Sequence, residues 1–425
     1  MKILLVVTLF LCASMPALLA QDVCAPMPFI RGLTIYAGND ETNLPIVLTA
    51  ASAGTLDSTV YGALTIRFDV DERIPPRLCI RFRHCDKDWR VDTDGFVRDD
   101  FFTYTRSLYY EQAPAGVRGF AWRFINTFPS REHPFVRFLY SGNWMFEITD
   151  ERDADDVYAT GRFIVVENLV PSSLEVTNDY WTEYEPPHDQ VHRMRVRMRI
   201  PEALFADFVA TVDIYRDRRL FHPMRVAAYD FAGNTRVEGL GTKEKTFTYL
   251  NAAPGNGYRF LDISSPGSYP TGHPVRLTRG PDFTRFRFGT DVSRFDGAAR
   301  TVGWSSDADY MCVRFELAHP QIDGSDVFVA GNWNFWDPQE SDRMHRDSVS
   351  GNYVLDRMLL RGEYDYQYVV GTYDPERGYI VDADWTRIEG NDWGARNLYW
   401  AIIYYDDDQH GGITRAVGAV LARGR

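Results

Sequence analysis

The feature that most limits what this chain can become is alternation. Stretch after stretch sets apolar against polar residues with a period of two: ALTIRFDV (63–70), RLCIRFRHC (77–85), RMRVRMRI (193–200), TRFRFGTDV (284–292) and YDYQYVV (364–370). Successive side chains of a strand point to opposite faces, so each segment gains one apolar and one polar face. RMRVRMRI puts Met194, Val196, Met198 and Ile200 on one side and Arg193, Arg195, Arg197 and Arg199 on the other. That is the pattern of a half-buried strand with a solvated face, whose arginines neighbouring carboxylates should neutralise. Gly, Pro, Asn and Asp clusters break the strands at short intervals, as hairpin turns demand. The one helical candidate of note is short, PEALFADFV (201–209). Many short strands with regular turns predict an all-β chain of tandem immunoglobulin-like β-sandwich domains with very little helix.

At 425 residues the chain is long enough for several such units. Its start reads as an export signal: Lys2, an apolar run over 3–12, then the small residues Ser14, Ala17 and Ala20. Two turn-rich breaks follow, VVENLVPSS (165–173) and VSRFDGAARTVG (292–303). The expected division is a signal peptide over 1–20, an N-terminal sandwich over 21–170, a middle sandwich over 171–300 and a C-terminal one over 301–425. The formal net charge of −13 argues against nucleic acid and anionic membranes as partners. No later run of about 18 apolar residues predicts a spanning helix.

Cys24, Cys79, Cys85 and Cys312 follow the signal. Cys79 and Cys85 fall on one face of a strand, too far apart along it to bond each other. Two readings stay open in an exported chain: a disulfide from Cys24 to Cys79 or Cys85, or buried free thiols. There is no CxxC pair, no nucleophile elbow, no P-loop, no HExxH and no dinucleotide fingerprint. Nine histidines are scattered; His188 and His192 stand at i, i+4 in a turn-rich segment. The acidic clusters at 150–156 and 406–408 fall between strands and read as solvated hairpin loops. The expectation is a protein without catalytic residues, cofactor or metal.

One stretch, VFVAGNWNFWDPQESDRM (327–344), runs a strand into a turn with three rings. Then comes strand, turn and strand, with Tyr364, Tyr366 and Tyr368 on one face. Gly331, Trp333, Asn334, Phe335, Trp336, Gly362 and the three tyrosines together resemble the early-set domains of glycogen-binding modules. In sugar-binding members the tryptophan of this turn stacks on glucose. The resemblance therefore implies Trp336 as a glycan or partner contact, with Tyr373 and Tyr379 in place of a second tryptophan. Trp333 and Phe335 are expected in the core.

A wider set of blocks runs the length of the chain. His84, Cys85, Asp86, Asp88 and Trp89 end one strand; Gly142 and Asn143 open another; GRFIVVE closes the region and YRFLDI (258–263) follows. Gly331, Asn332 and Trp333 mark the aromatic turn, and Glu389, Gly390, Asn391, Asn397 and Tyr399 mark the C-terminal block. In that order these blocks resemble the plug protein family of the type IX secretion system. The resemblance implies an exported, non-enzymatic protein at the inner side of the outer membrane. Its partner would be the giant β-barrel translocon, whose periplasmic opening it would occlude. The glycan-binding reading at Trp336 stands as the alternative.

Overall fold

A computed structural model describes residues 24, 27–49, 62–93, 103–105, 107–133, 136–181, 190–230, 232–277, 280–285 and 295–424. The export signal expected at 1–20, His188 and most of the alternating segment 284–292 lie outside them.

The alternation becomes three sandwiches of two sheets each. The first is built from β1 (Arg31–Ala37), β2 (Ile46–Leu48), β3 (Leu64–Val70), β4 (Leu78–Cys85), β5 (Glu111–Gln112), β6 (Trp122–Phe128), β7 (Gly142–Asp150) and β8 (Val157–Val166). Its sheets run β1-β3-β6-β5 and β2-β8-β7-β4. Between them lie Phe68, Phe82, Phe124, Phe146 and Phe163, each 2% exposed or less. The second sandwich starts with β9 (Ser172–Tyr180), β10 (Gln190–Arg199), β11 (Thr211–Arg216), β12 (Met224–Ala227), β13 (Thr235–Glu238) and β14 (Glu244–Ala252). As the arginine alternation predicts, Met194, Val196, Met198 and Ile200 are buried in its core. On the other face Arg195 and Arg197 meet Glu175 at 3.6 and 3.1 Å, and Arg193 pairs with Asp179. The helix candidate at 201–209 is one 3-10 turn, Ala206–Phe208.

The third sandwich comprises β15 (Arg259–Asp262), β16 (Val275–Arg276), β17 (Asp282–Phe283), β18 (Ala299–Thr301), β19 (Tyr310–Ala318), β20 (Asp326–Gly331), β21 (His345–Arg346), β22 (Tyr353–Leu360), β23 (Gly362–Asp374) and β24 (Tyr379–Asp384). The 13-residue β23 is its spine, pairing with β15, β18, β20 and β24. It turns Tyr364, Tyr366 and Tyr368 into the core. The last strands, β25 (Leu398–Asp407) and β26 (Ile413–Arg423), leave this unit and complete the second sandwich in the order β12-β11-β25-β26. The register runs from Thr211 opposite Tyr404 to Arg216 opposite Tyr399.

The expected cut at 300 therefore runs through shared sheets. Strands β15 to β18 pair with β19 and β23, whereas β25 and β26 return to the middle unit. Periodicity tells which face of a strand is buried, and it is silent on which strand lies alongside. The disulfide differs as well: Cys24 bonds Cys312 on β19, with Cα atoms 5.9 Å apart. Cys79 and Cys85 are the buried free thiols. Both are buried on the face of β4 opposite Leu78, Ile80 and Phe82, in the first unit, whereas Cys24 lies against β19 of the third. Burial pushes the Cys85 thiol up to about 12, which leaves it inert.

Candidate functional site

Most of the residues that carry the family resemblance lie at or beside the joints between sandwiches, not in an open cleft. The first joint lies between the first and second units. β2 and β8 lay Ile46, Leu48, Ile164 and Val166 against Tyr215, Trp400, Ile402 and Tyr404 of β11 and β25, forming one shared apolar layer. Tyr215 and Trp400 stack at 4.3 Å.

β4 delivers the His-Cys-Asp turn to the rim of this layer. His84 is 3% exposed; its Nδ1 lies 2.5 Å from Asp92 and its Nε2 2.9 Å from the Ser141 carbonyl. Asp86 Oδ1 accepts the backbone N–H groups of Asp88 and Arg90 at 2.8 and 2.9 Å, closing the turn. Trp89 sits at a φ of 63° and sends its ring into the shared layer. Asp88 accepts from Arg225 of β12, which also grips Asp213 through two bonds of 2.7 and 2.8 Å. Buried Asp213 has its carboxyl raised by desolvation, with Arg225 opposing the shift.

Gly142 and Asn143 complete this joint. At Gly142 (φ 133°) a Cβ would come within 2.4 Å of His84 Nε2 and 2.5 Å of the Thr414 carbonyl on β26. Only glycine lets the two units approach so closely. Asn143 donates to the Asp86 carbonyl at 3.2 Å and accepts from the Tyr404 hydroxyl at 2.9 Å. Arg415 grips Glu167 at the end of the first unit, and the following backbone bonds along β26 through Leu169 and Val170.

The aromatic turn forms the second joint. Asn334 ties it shut: the amide donates to the Val329 carbonyl at 2.9 Å and its oxygen accepts from Gly331 N–H at 3.0 Å. Phe335 and Trp336 follow with φ of 53° and 61°, left-handed values that side chains seldom adopt. This reverses the expected roles of the rings. Trp336 is 0% exposed; its indole donates to the Gly297 carbonyl at 2.7 Å and packs on Tyr258 at 4.6 Å. No face of it is open to a sugar or partner. Phe335 packs on the core of the first sandwich, not on its own. Trp333, expected inside, is half-buried against Phe315 and Tyr364 and lines a cavity of about 420 Å³ beneath β1. Tyr373 is half-buried beside Ile380, and Tyr379 is 41% exposed on β24. The three rings proposed for glycan do not share a surface.

What holds the turn in place comes from the β11–β12 connection, a charged run of Asp217, Arg218 and Arg219 that no sequence motif marks. Arg218 is 7% exposed and bonds the Glu41 carbonyl of the first unit at 3.0 Å and Asn332 of the third at 3.3 Å. Arg219 stacks over Trp385 at 3.7 Å and donates to Gln367. Burial pulls these guanidiniums down to about 10 and about 9. Asp217 accepts from the Tyr258 hydroxyl at 2.6 Å and Leu398 N–H at 2.8 Å, and burial pushes its carboxyl up to about 7.

The C-terminal block braces the third unit and ties it to the second. Glu389 is 0% exposed and takes Arg259 at 3.0 Å, Arg285 at 2.8 Å and Tyr368 N–H at 2.8 Å. Gly390 turns the chain at a φ of 81°. Asn391 donates to the Gln190 carbonyl of β10 at 2.8 Å, and Asn397 to the Pro254 carbonyl at 2.7 Å. Tyr399, 0% exposed, packs in the core of the second sandwich. Among the described residues no three His, Cys, Asp or Glu side chains gather as a metal site. No helix there is long and apolar enough to cross a membrane.

Residues 30–167, the first sandwich, match the family model "Type 9 secretion system plug protein 1st domain". No curated protein matches the chain. Among solved structures, it resembles a hypothetical protein from Parabacteroides merdae ATCC 43184 at 19% identity and a TM-score of 0.74. That likeness covers 94% of this chain and 98% of the other, and it shows the fold. A structure of a bacterial ice-binding adhesin, at 10% identity over 94% of this chain and 98% of that one, reaches a TM-score of only 0.14 and carries no argument. Residues 30–167 are thus similar to the first domain of type IX secretion plug proteins, which supports a type IX secretion-related role for the chain.

Proposed function

We propose that this protein is the stopper of the type IX channel: exported to the periplasm, it seats at the inner mouth of the giant outer-membrane β-barrel and closes it at rest. The observation that supports this reading is the way the family residues are spent. Asp88, Gly142, Asn143 and Asn391 join one sandwich to the next, while His84 and Glu389 brace the first and third units beside those joints. A body that closes a wide pore must keep its width, and buried joints of this kind resist the domain motions that are the default for chained domains. Its work is then binding and exclusion rather than catalysis, with the barrel as partner.

Affinity purification of the tagged full chain from solubilised outer membranes tests the partner. The expected result is co-purification of one very large β-barrel protein in near-stoichiometric amount. Recovery of the chain with no such barrel, from cells that contain the secretion system, contradicts the proposal.

A further inference from the structure

Where the three sandwiches meet lies a cavity of about 20 Å³, room for one atom-sized guest. Its walls include Arg162 of β8, Arg218 of the β11–β12 connection, Phe221, Asn332, Phe335 and Trp336. Two guanidinium-bearing residues border it, and none of the lining residues is an acid. Arg218 gives its terminal nitrogens to neutral oxygens of Glu41, Asn43 and Asn332, and its buried Nε has no hydrogen-bond partner among the described residues. Arg162 lies over the rings of Phe221 and Trp89 at 4.1 and 4.9 Å. Among the described residues it has no carboxylate within ion-pair reach; Asp337 acts on it from farther off. Desolvation lowers the affinity of both side chains for their protons and outweighs the pull of Asp337 on Arg162 and of Glu41, Asp40, Asp296 and Asp365 on Arg218, so both cations are buried short of counter-charge.

Two cations beside one enclosed space repel each other and lose hydration, at a cost that a counter-ion removes. We propose that this cavity binds one small monovalent anion of chloride size, held between Arg162 and Arg218. A water molecule fits the volume but leaves the charge uncompensated. Sulfate and phosphate are too large for it. The anion would join β8 of the first unit to the second unit's connection directly beneath the aromatic turn of the third. The site is independent of the role in secretion.

Thermal unfolding of the full chain at constant ionic strength, with sodium chloride exchanged stepwise for sodium gluconate, reads the binding. The midpoint is expected to rise with chloride and saturate, by roughly 2–4 °C. Arg162→Gln should cut that rise by at least half while the gluconate midpoint remains measurable. Crystals of the wild-type chain grown in bromide decide the matter even if the variant does not fold. An anomalous peak in the cavity between Arg162 and Arg218 supports the site, and a cavity without one overturns it.

Discussion

Single residues in this protein matter for what they allow to come close. Gly142 is the clearest case: any side chain there strikes His84 and the β26 backbone, and its positive φ penalises every other residue. Gly142→Ala should destabilise the chain by more than about 2 kcal/mol in urea unfolding, an unusually large effect for one methyl group. A loss within about 0.5 kcal/mol would mean that the joint is not tight. His192 tests burial through pH. It is 0% exposed, and burial, reinforced by the charge of Arg216, pushes it down to about 4. Between about 6.5 and 4 the unfolded chain takes up a proton that the folded one refuses. Its contribution is therefore whole above about 6.5 and lost as pH falls, by about 1.4 kcal/mol per unit. Asp217 and Asp337, raised by burial to about 7 and about 6, act the other way and lose their contribution as pH rises through those values. Comparing wild type with His192→Met isolates the histidine. The wild type's advantage should shrink from pH 6.5 to 4, and a constant difference would contradict the assignment. The sequence names such residues without revealing their task. Trp336 resembles a sugar platform because its neighbours do, and only the partner strand and Gly297 make it a buried wedge.

At the scale of elements, alternation made the strands readable and left their neighbours unreadable. Met194, Val196 and Met198 are buried as their spacing dictates, and Tyr364, Tyr366 and Tyr368 likewise. Nothing in the pattern of β25 and β26 says that they travel back to β11 past a whole sandwich. The β11–β12 connection was hidden for a related reason: Asp217, Arg218 and Arg219 form a charged run, and charged runs usually face water. Their burial follows from the third sandwich closing over them. Arg225, on the strand after this connection, offers the direct comparison. Arg225→Met leaves Asp213 buried without its counter-charge and should cost about 3–5 kcal/mol. Arg197→Ser, on the exposed stripe paired with Glu175, should cost no more than about 1 kcal/mol. Equal effects of the two in denaturant unfolding would refute this account of the joint.

At the scale of the molecule, the chain closes on itself twice. β25 and β26 bring its end back to the middle unit, and the bond from Cys24 to Cys312, 288 residues apart, ties its start to the third. Cys312→Ser, which opens that loop, should lower stability by about 2–4 kcal/mol relative to the oxidised wild type, and a reducing agent should erase the difference. If the two proteins unfold together under oxidising conditions, the bond does not brace the fold. A body fastened at both ends and at its buried joints suits a stopper, and the decisive measurement is electrical. The purified type IX barrel, reconstituted in a planar bilayer, should pass large steady currents that fall to near zero when the full chain is added on the periplasmic side, and not when it is added on the other. A barrel whose conductance is unchanged by saturating protein would contradict the claim that this chain closes the channel.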